Sequence, residues 1–164
     1  MTSQLALDKQ VKIRQAEIKD AERIANLCEQ LGYSVKHSQI EQCLSKIKED
    51  DSHILYVASA NESVIGWVQG HICDLIIAPT HLLILGLVVD RDYRQQGVGK
   101  LLVQQIEDWA SFVGCEGVLV RSNIKRQEAH LFYEKIGYTY TKQQKIFYKA
   151  LSNPECDQID GNSI

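Results

Sequence analysis

A chain of 164 residues has the ordinary size of one domain, and its 45% hydrophobic content with only 2 prolines is enough to bury a single core. The formal net charge of −3 lacks the basic excess of a dedicated nucleic-acid binder. The longest apolar stretch, Leu82 to Val89, falls far short of the about 20 residues of a membrane helix.

Residues 1–10 have neither the charged start nor the apolar run of a secretory leader, so a soluble, cytoplasmic protein without nucleic-acid or membrane partners is expected. The 5 cysteines (Cys28, Cys43, Cys73, Cys115 and Cys156) form no C-x-x-C pair, and the histidines are scattered. Neither a disulfide framework nor a metal site is expected. Cys28 and Cys43 fall on apolar positions of helical patterns and read as small buried hydrophobes. Lys142, Lys145 and Lys149 read as a solvated surface.

In chain order, alternation at Val11, Ile13 and Gln15 predicts a strand at residues 11–17. Asp20 then caps a helix with Ile24, Ala25, Cys28 and Leu31 at helical spacing, ended by Gly32. A second helix fits residues 38–48, with Ile40, Cys43, Leu44 and Ile47 on one stripe. Strands at 53–60 and 63–73 flank the short Asn61-Glu62 turn and form a hairpin. The nearly continuous apolar run 81–90 suits a central strand covered on both faces. A helix at 98–113, a strand at 117–122 and a helix at 126–135 follow, the last closed by Gly137. Residues 138–151 alternate as one or two final strands, and 152–164 form a polar tail. A single domain over 1–151 of α/β or α+β class is expected, with a parallel strand–helix–strand crossover in its second half.

The most informative segment joins the apolar run to the helix after it: Leu87-Val88-Val89-Asp90, then Arg94-Gln95-Gln96-Gly97-Val98-Gly99-Lys100. Glycine permits positive φ and close backbone approach. The first helical turn leaves N–H groups without intrahelical partners at the positive end of the dipole, which suits a pyrophosphate. Two familiar phosphate motifs fail here. A P-loop needs glycine at Arg94 and Ser or Thr at Leu101; a dinucleotide fingerprint needs glycine or alanine at Leu102.

What remains is R-x-x-G-x-G, preceded by Gly86-Leu87-Val88-Val89 and followed by Arg121-Ser122-Asn123 and by Ala129-His130-Leu131-Phe132-Tyr133 running to Gly137-Tyr138. Together these resemble the GNAT superfamily of acyl-CoA-dependent N-acyltransferases, small bacterial-type members above all. The specific motifs cover residues 81–150; the first 80 residues match only in their order of elements. The resemblance implies a mixed, mostly antiparallel sheet with a splayed parallel pair and flanking helices. It further implies acetyl transfer from acetyl-CoA to a primary amine, without a metal. The backbones of Leu87, Val88 and Val89 are expected to bind the pantetheine arm, and those of Arg94, Gln95, Gln96, Gly97, Val98, Gly99 and Lys100 the pyrophosphate. Asn123 and Phe132 are expected to contact the arm, the Val88 N–H to meet the oxyanion, and Tyr133 to be the acid. Tyr133 lies about 100° around from Phe132, at the edge of the stripe of Ala129, Phe132 and Ile136.

No base is legible. The central run has no carboxylate, and Leu83 stands where similar sequences commonly carry Glu. His71, Asp74, His81 and His130 are candidates that the sequence does not separate. Trp67 and Gln69 share a strand face with His71 and could line the acceptor side. The resemblance also allows a homodimer through the last strands. The alternative reading is a non-catalytic acyl-CoA sensor of the same fold.

Overall fold

The computed structural model describes residues 11–151, which divide into two compact units at Val120/Arg121. The first unit holds β1 (Lys12–Gln15), α1 (Ala21–Gln30), α2 (His37–Glu49), β2 (His53–Ala60), β3 (Ser63–Leu75), β4 (Ala78–Val89), α3 (Val98–Phe112) and β5 (Gly117–Val120). The second holds α4 (Gln127–Lys135). The 152–164 tail and Cys156 lie outside the described residues.

The sheet runs β1-β2-β3-β4-β5, antiparallel throughout except for the parallel pair β4–β5. Asn61 and Glu62 take φ of 49° and 65°, the left-handed pair whose twist suits a two-residue hairpin, and Ala60 faces Ser63 across it. Strand parity sorts the two faces. Leu55, Val57, Trp67 and Val88 pack with Ile24, Leu27 and Leu44 of α1 and α2. The opposite face receives α3. A Cβ at Gly70 would lie 2.6 Å from the Ile106 side chain, so only glycine lets this helix approach so closely. Leu102 and Ile106 are fully buried there, each stabilising the unit by about 2 kcal/mol.

Three expectations are corrected. Asp20 precedes α1, but its carboxylate does not cap the helix. It is taken by Arg14 through two bonds of 2.7 and 2.8 Å and by the Glu17 N–H at 2.8 Å. Cys43 is exposed, because α2 buries only a narrow stripe in which Leu44 is the one fully buried side chain. Residues 138–151 form no strand. Alternation supplies a strand's faces but not its hydrogen-bonding partner, and residues 139–151 are all exposed. Lys142, Lys145 and Lys149 are among them, as expected of a solvated surface.

Candidate functional site

The edge of β4 toward β5 is only half paired. Register runs from His81 opposite Gly117 to Ile84 opposite Val120, and β4 continues beyond that to Val89. An irregularity in the β3–β4 register falls there, with Leu85 skipped between Ile84 and Gly86. Beyond it, the Asp90 N–H donates to the Ile65 carbonyl at 2.8 Å. Successive residues of a strand point their N–H and C=O to opposite edges, so Val88 shares Asp90's direction toward β3. Leu87 and Val89 face the open edge. The Val89 carbonyl indeed turns that way, accepting from Arg94 Nε at 3.0 Å. The Leu87 amide thus faces the open edge and the Val88 amide faces β3, a distinction of parity that a run of Leu-Val-Val conceals.

The loop after β4 is built by its own hydrogen bonds. Asp90, 6% exposed, accepts from the Asp92 N–H at 2.9 Å and pairs with Arg23 of α1. Burial works to raise the Asp90 pKa, but the Asp92 N–H and Arg23 outweigh it and hold the carboxylate below its usual range. Gln96 Nε2 ties the far side of the loop to the Asp92 carbonyl at 2.9 Å. Gln95 and Gly97 take φ of 60° and 87°. Left-handed residues alternating with others turn successive N–H groups toward one concavity, an anion nest. The helical ladder of α3 begins only with Leu101 N–H to Gly97 C=O at 3.1 Å. The amides from Gln95 to Lys100 have no backbone acceptor among the described residues. Gln95 is thus a non-glycine residue in the left-handed region, a conformation that costs about 1 kcal/mol or more.

In the second unit, Asn123 organises the turn into α4. Its side-chain oxygen accepts from the Lys125 N–H at 3.0 Å, and its carbonyl meets the Arg126 N–H at 2.9 Å and His130 Nε2 at 3.0 Å. Among the described residues the Asn123 side-chain nitrogen has no acceptor, which leaves it to donate elsewhere. Tyr133 is framed edge-on by Phe132 at 5.2 Å and Tyr138 at 5.5 Å between ring centroids. Within the described residues of this unit its phenol has no hydrogen-bond partner. Burial pushes its pKa up to about 12, with Arg126 pulling weakly the other way. Tyr133 therefore carries its proton at any physiological pH.

A family model described as the acetyltransferase (GNAT) family matches residues 18–138. The chain belongs to the GNAT acetyltransferases. An uncharacterized N-acetyltransferase, YhdJ of Bacillus subtilis, is 30% identical over 102 residues, covering 62% of this chain and 69% of its own. Aminoglycoside N(6')-acetyltransferase type 1 of Acinetobacter genomosp. 13 is 31% identical over 66 residues, 40% of this chain and 45% of its own. The solved structure of AAC(6')-Iy in complex with the bisubstrate analog CoA-S-monomethyl-acetylneamine superposes with a TM-score of 0.75 at 20% identity, covering 85% of this chain and 98% of that one. At that identity the likeness shows the fold: a mixed, mostly antiparallel sheet with one parallel pair.

The first unit of this GNAT acetyltransferase thus brings Leu87, Val88, Val89 and the stretch Arg94–Lys100 into one continuous strand, loop and helix start. The second gathers Asn123, His130, Phe132 and Tyr133. Of the base candidates, the ring nitrogen of His130 meets the Asn123 carbonyl, His81 Nδ1 lies 3.2 Å from the Pro79 carbonyl, and Asp74 accepts from Thr80 Oγ1 at 2.7 Å. Trp67 is core: it is 8% exposed, and its ring lies 2.7 Å from where a Cβ at Gly86 would stand. His71 stacks on His53, a residue the sequence did not point to, because their meeting depends on β2–β3 register. Among the described residues no cluster of metal-binding side chains occurs, and no helix is long and apolar enough to cross a membrane.

Proposed function

We propose that this acetyltransferase moves the acetyl group of acetyl-CoA to a small-molecule primary amine by direct attack on the thioester. The observation that carries the reading is the unpaired edge of β4 leading straight into partnerless amides at Gln95 to Lys100. An extended pantetheine arm can add to such an edge as a further strand, using Leu87 and Val89. The amides of the nest suit the pyrophosphate, with Arg94 and Lys100 adding positive charge.

In the reaction the amine nitrogen forms a bond to the thioester carbon while the carbon–oxygen π pair moves to oxygen. The Leu87 N–H is the donor proposed for that oxyanion. Collapse breaks the carbon–sulfur bond and expels the thiolate of CoA, and the new amide nitrogen gives its extra proton to water or to that sulfur. We assign Tyr133 to this sulfur. A phenol near 12 holds its proton far more tightly than a thiol of ordinary pKa, about 8.5. Tyr133 therefore stabilises the departing sulfur first as a hydrogen-bond donor. Asn123 and Phe132 are proposed to hold the arm.

The named aminoglycoside acetyltransferases make amino sugars the first acceptors to try, followed by polyamines and peptides. The free cysteines Cys28, Cys43, Cys73 and Cys115 fit a reducing, cytoplasmic setting. The absence of any carboxylate on β4 from Leu82 to Val89 favours a second reading, an acyl-CoA sensor without turnover. Thiol release from acetyl-CoA across the amine panel, beside calorimetry of acetyl-CoA binding, separates the two. Release with any amine establishes transfer, binding without release supports the sensor, and failure to bind removes both.

A further inference from the structure

The sheet face covered by α1 and α2 carries a polar row opposite Leu83, in the part of β4 still paired with β5 and one row short of its open part. Register sets His53 opposite His71 and His71 opposite Leu83; the next row joins Leu55, Gln69 and Gly86. The two rows lie about 7 Å apart along the strands. Gly86 immediately precedes the Leu87 amide that faces the open edge. The His53 and His71 rings stack with centroids 4.2 Å apart at 34°. Asp50 Oδ2 lies 3.7 Å from His53 Nε2, and its other carboxylate oxygen is held by the Ser52 N–H at 2.9 Å and hydroxyl at 2.6 Å. Cys73 Sγ lies 3.7 Å from His71 Nδ1. Both imidazoles are half-buried, and His53 Nδ1 is enclosed without a partner.

The two rings meet across the β2–β3 register, with the Asp50 carboxylate near His53 and the Cys73 sulfur near His71. Burial first, and then the neighbouring ring, hold His53 below the ordinary imidazole pKa, while Asp50 pulls upward. The remaining groups around the pair do not replace it. Arg23 of α1 is committed to Asp90 and the Val64 carbonyl. From β4, His81 faces Cys73 in register.

We propose that the stacked His53–His71 pair, backed by Asp50, is the proton acceptor for the incoming ammonium; the role rests on the acyl-transfer reading above. An N–H bond of the ammonium breaks, its electron pair stays on nitrogen, and the proton binds an imidazole nitrogen. The free amine then attacks the thioester, and the pair later returns its proton to water. The arrangement suits a proton acceptor, because the two imidazoles lie in contact and the Asp50 carboxylate beside His53 stabilises positive charge taken up there.

The test is the pH profile of kcat/KM for a reactive amine at saturating acetyl-CoA, between about pH 5 and 9. The unmodified chain should lose rate on the acid side. His71→Gln should lower kcat about 100-fold, abolish that acid limb and leave acetyl-CoA affinity unchanged, with partial rescue by added imidazole. Nuclear magnetic resonance titration should show the His53 midpoint rising in His71→Gln as the like-charged neighbour is removed. A wild-type kcat and acid limb in His71→Gln, or an unmoved His53 midpoint, overturns the proposal. Should His71→Gln fail to fold, His53→Gln decides in the same way: an altered acid limb supports the pair and an unaltered one overturns it. Absence of thiol release from the unmodified chain that still binds acetyl-CoA instead removes the transfer reading, and the role with it.

Discussion

Tyr133 is half-buried and Asp20 buried, and their surroundings fix opposite protonation states. Tyr133 keeps its proton because burial opposes the phenolate. Tyr133→Phe should lower kcat about 100-fold with little change in acetyl-CoA affinity, measured by thiol release and calorimetry. No loss of activity from Tyr133 ionisation is expected on the alkaline side until near pH 12, so an earlier alkaline limb in the wild type has another origin. At Asp20 burial again opposes charge, but Arg14 and the Glu17 N–H outweigh it and lower the pKa. The folded state then binds this proton less tightly than the unfolded chain. Its stabilisation is complete above the unfolded carboxylate value, about 3.9, and fades as pH falls toward the lower folded value. Asp20→Asn should cost about 2 kcal/mol in urea unfolding at pH 7, since it removes the charged partner of Arg14, and the difference from wild type should shrink in acid.

At the scale of elements, β4 and α3 are joined by a loop whose backbone, rather than its side chains, is specialised. Gly97 caps α3 in the left-handed region at φ 87°, a conformation that a Cβ makes costly by about 1–2 kcal/mol. Gly97→Ala should therefore raise the Kd for acetyl-CoA by roughly tenfold, read by calorimetry, with a smaller loss of thermal stability. Gly86 serves a different need. Its missing side chain makes room for Trp67, so Gly86→Ala should destabilise the first unit by about 1–3 kcal/mol in urea unfolding, through displacement of the indole. A circular dichroism spectrum close to wild type would separate this local repacking from loss of fold.

For the molecule as a whole, a ligand that binds only the folded chain raises its stability by mass action. At 100 times Kd, acetyl-CoA should add about 2.7 kcal/mol and raise Tm by roughly 5–10 °C, seen by calorimetric scanning. An unchanged Tm would remove the nest at Gln95–Lys100 as its site. The exposed Tyr140, Ile146, Phe147, Tyr148 and Leu151 make residues 138–151 the segment through which we propose a homodimer. Sedimentation of the chain with and without that segment measures its contribution.

The sequence by itself determined the order of elements from β1 to α4 and the loop that joins β4 to α3. Helical spacing at Ile24, Ala25 and Cys28, the Asn61-Glu62 turn and the apolar run into Arg94–Lys100 are local patterns, and local patterns survive without knowledge of partners. Only the tertiary structure decided matters that depend on what lies across a strand. It turned the Val88 amide toward β3 and the Leu87 amide to the open edge, gave Asp20 to Arg14, and set His53 against His71. Residues 138–151 mark the same boundary from the other side: their alternation is written in the chain, but a strand exists only where another edge accepts its hydrogen bonds.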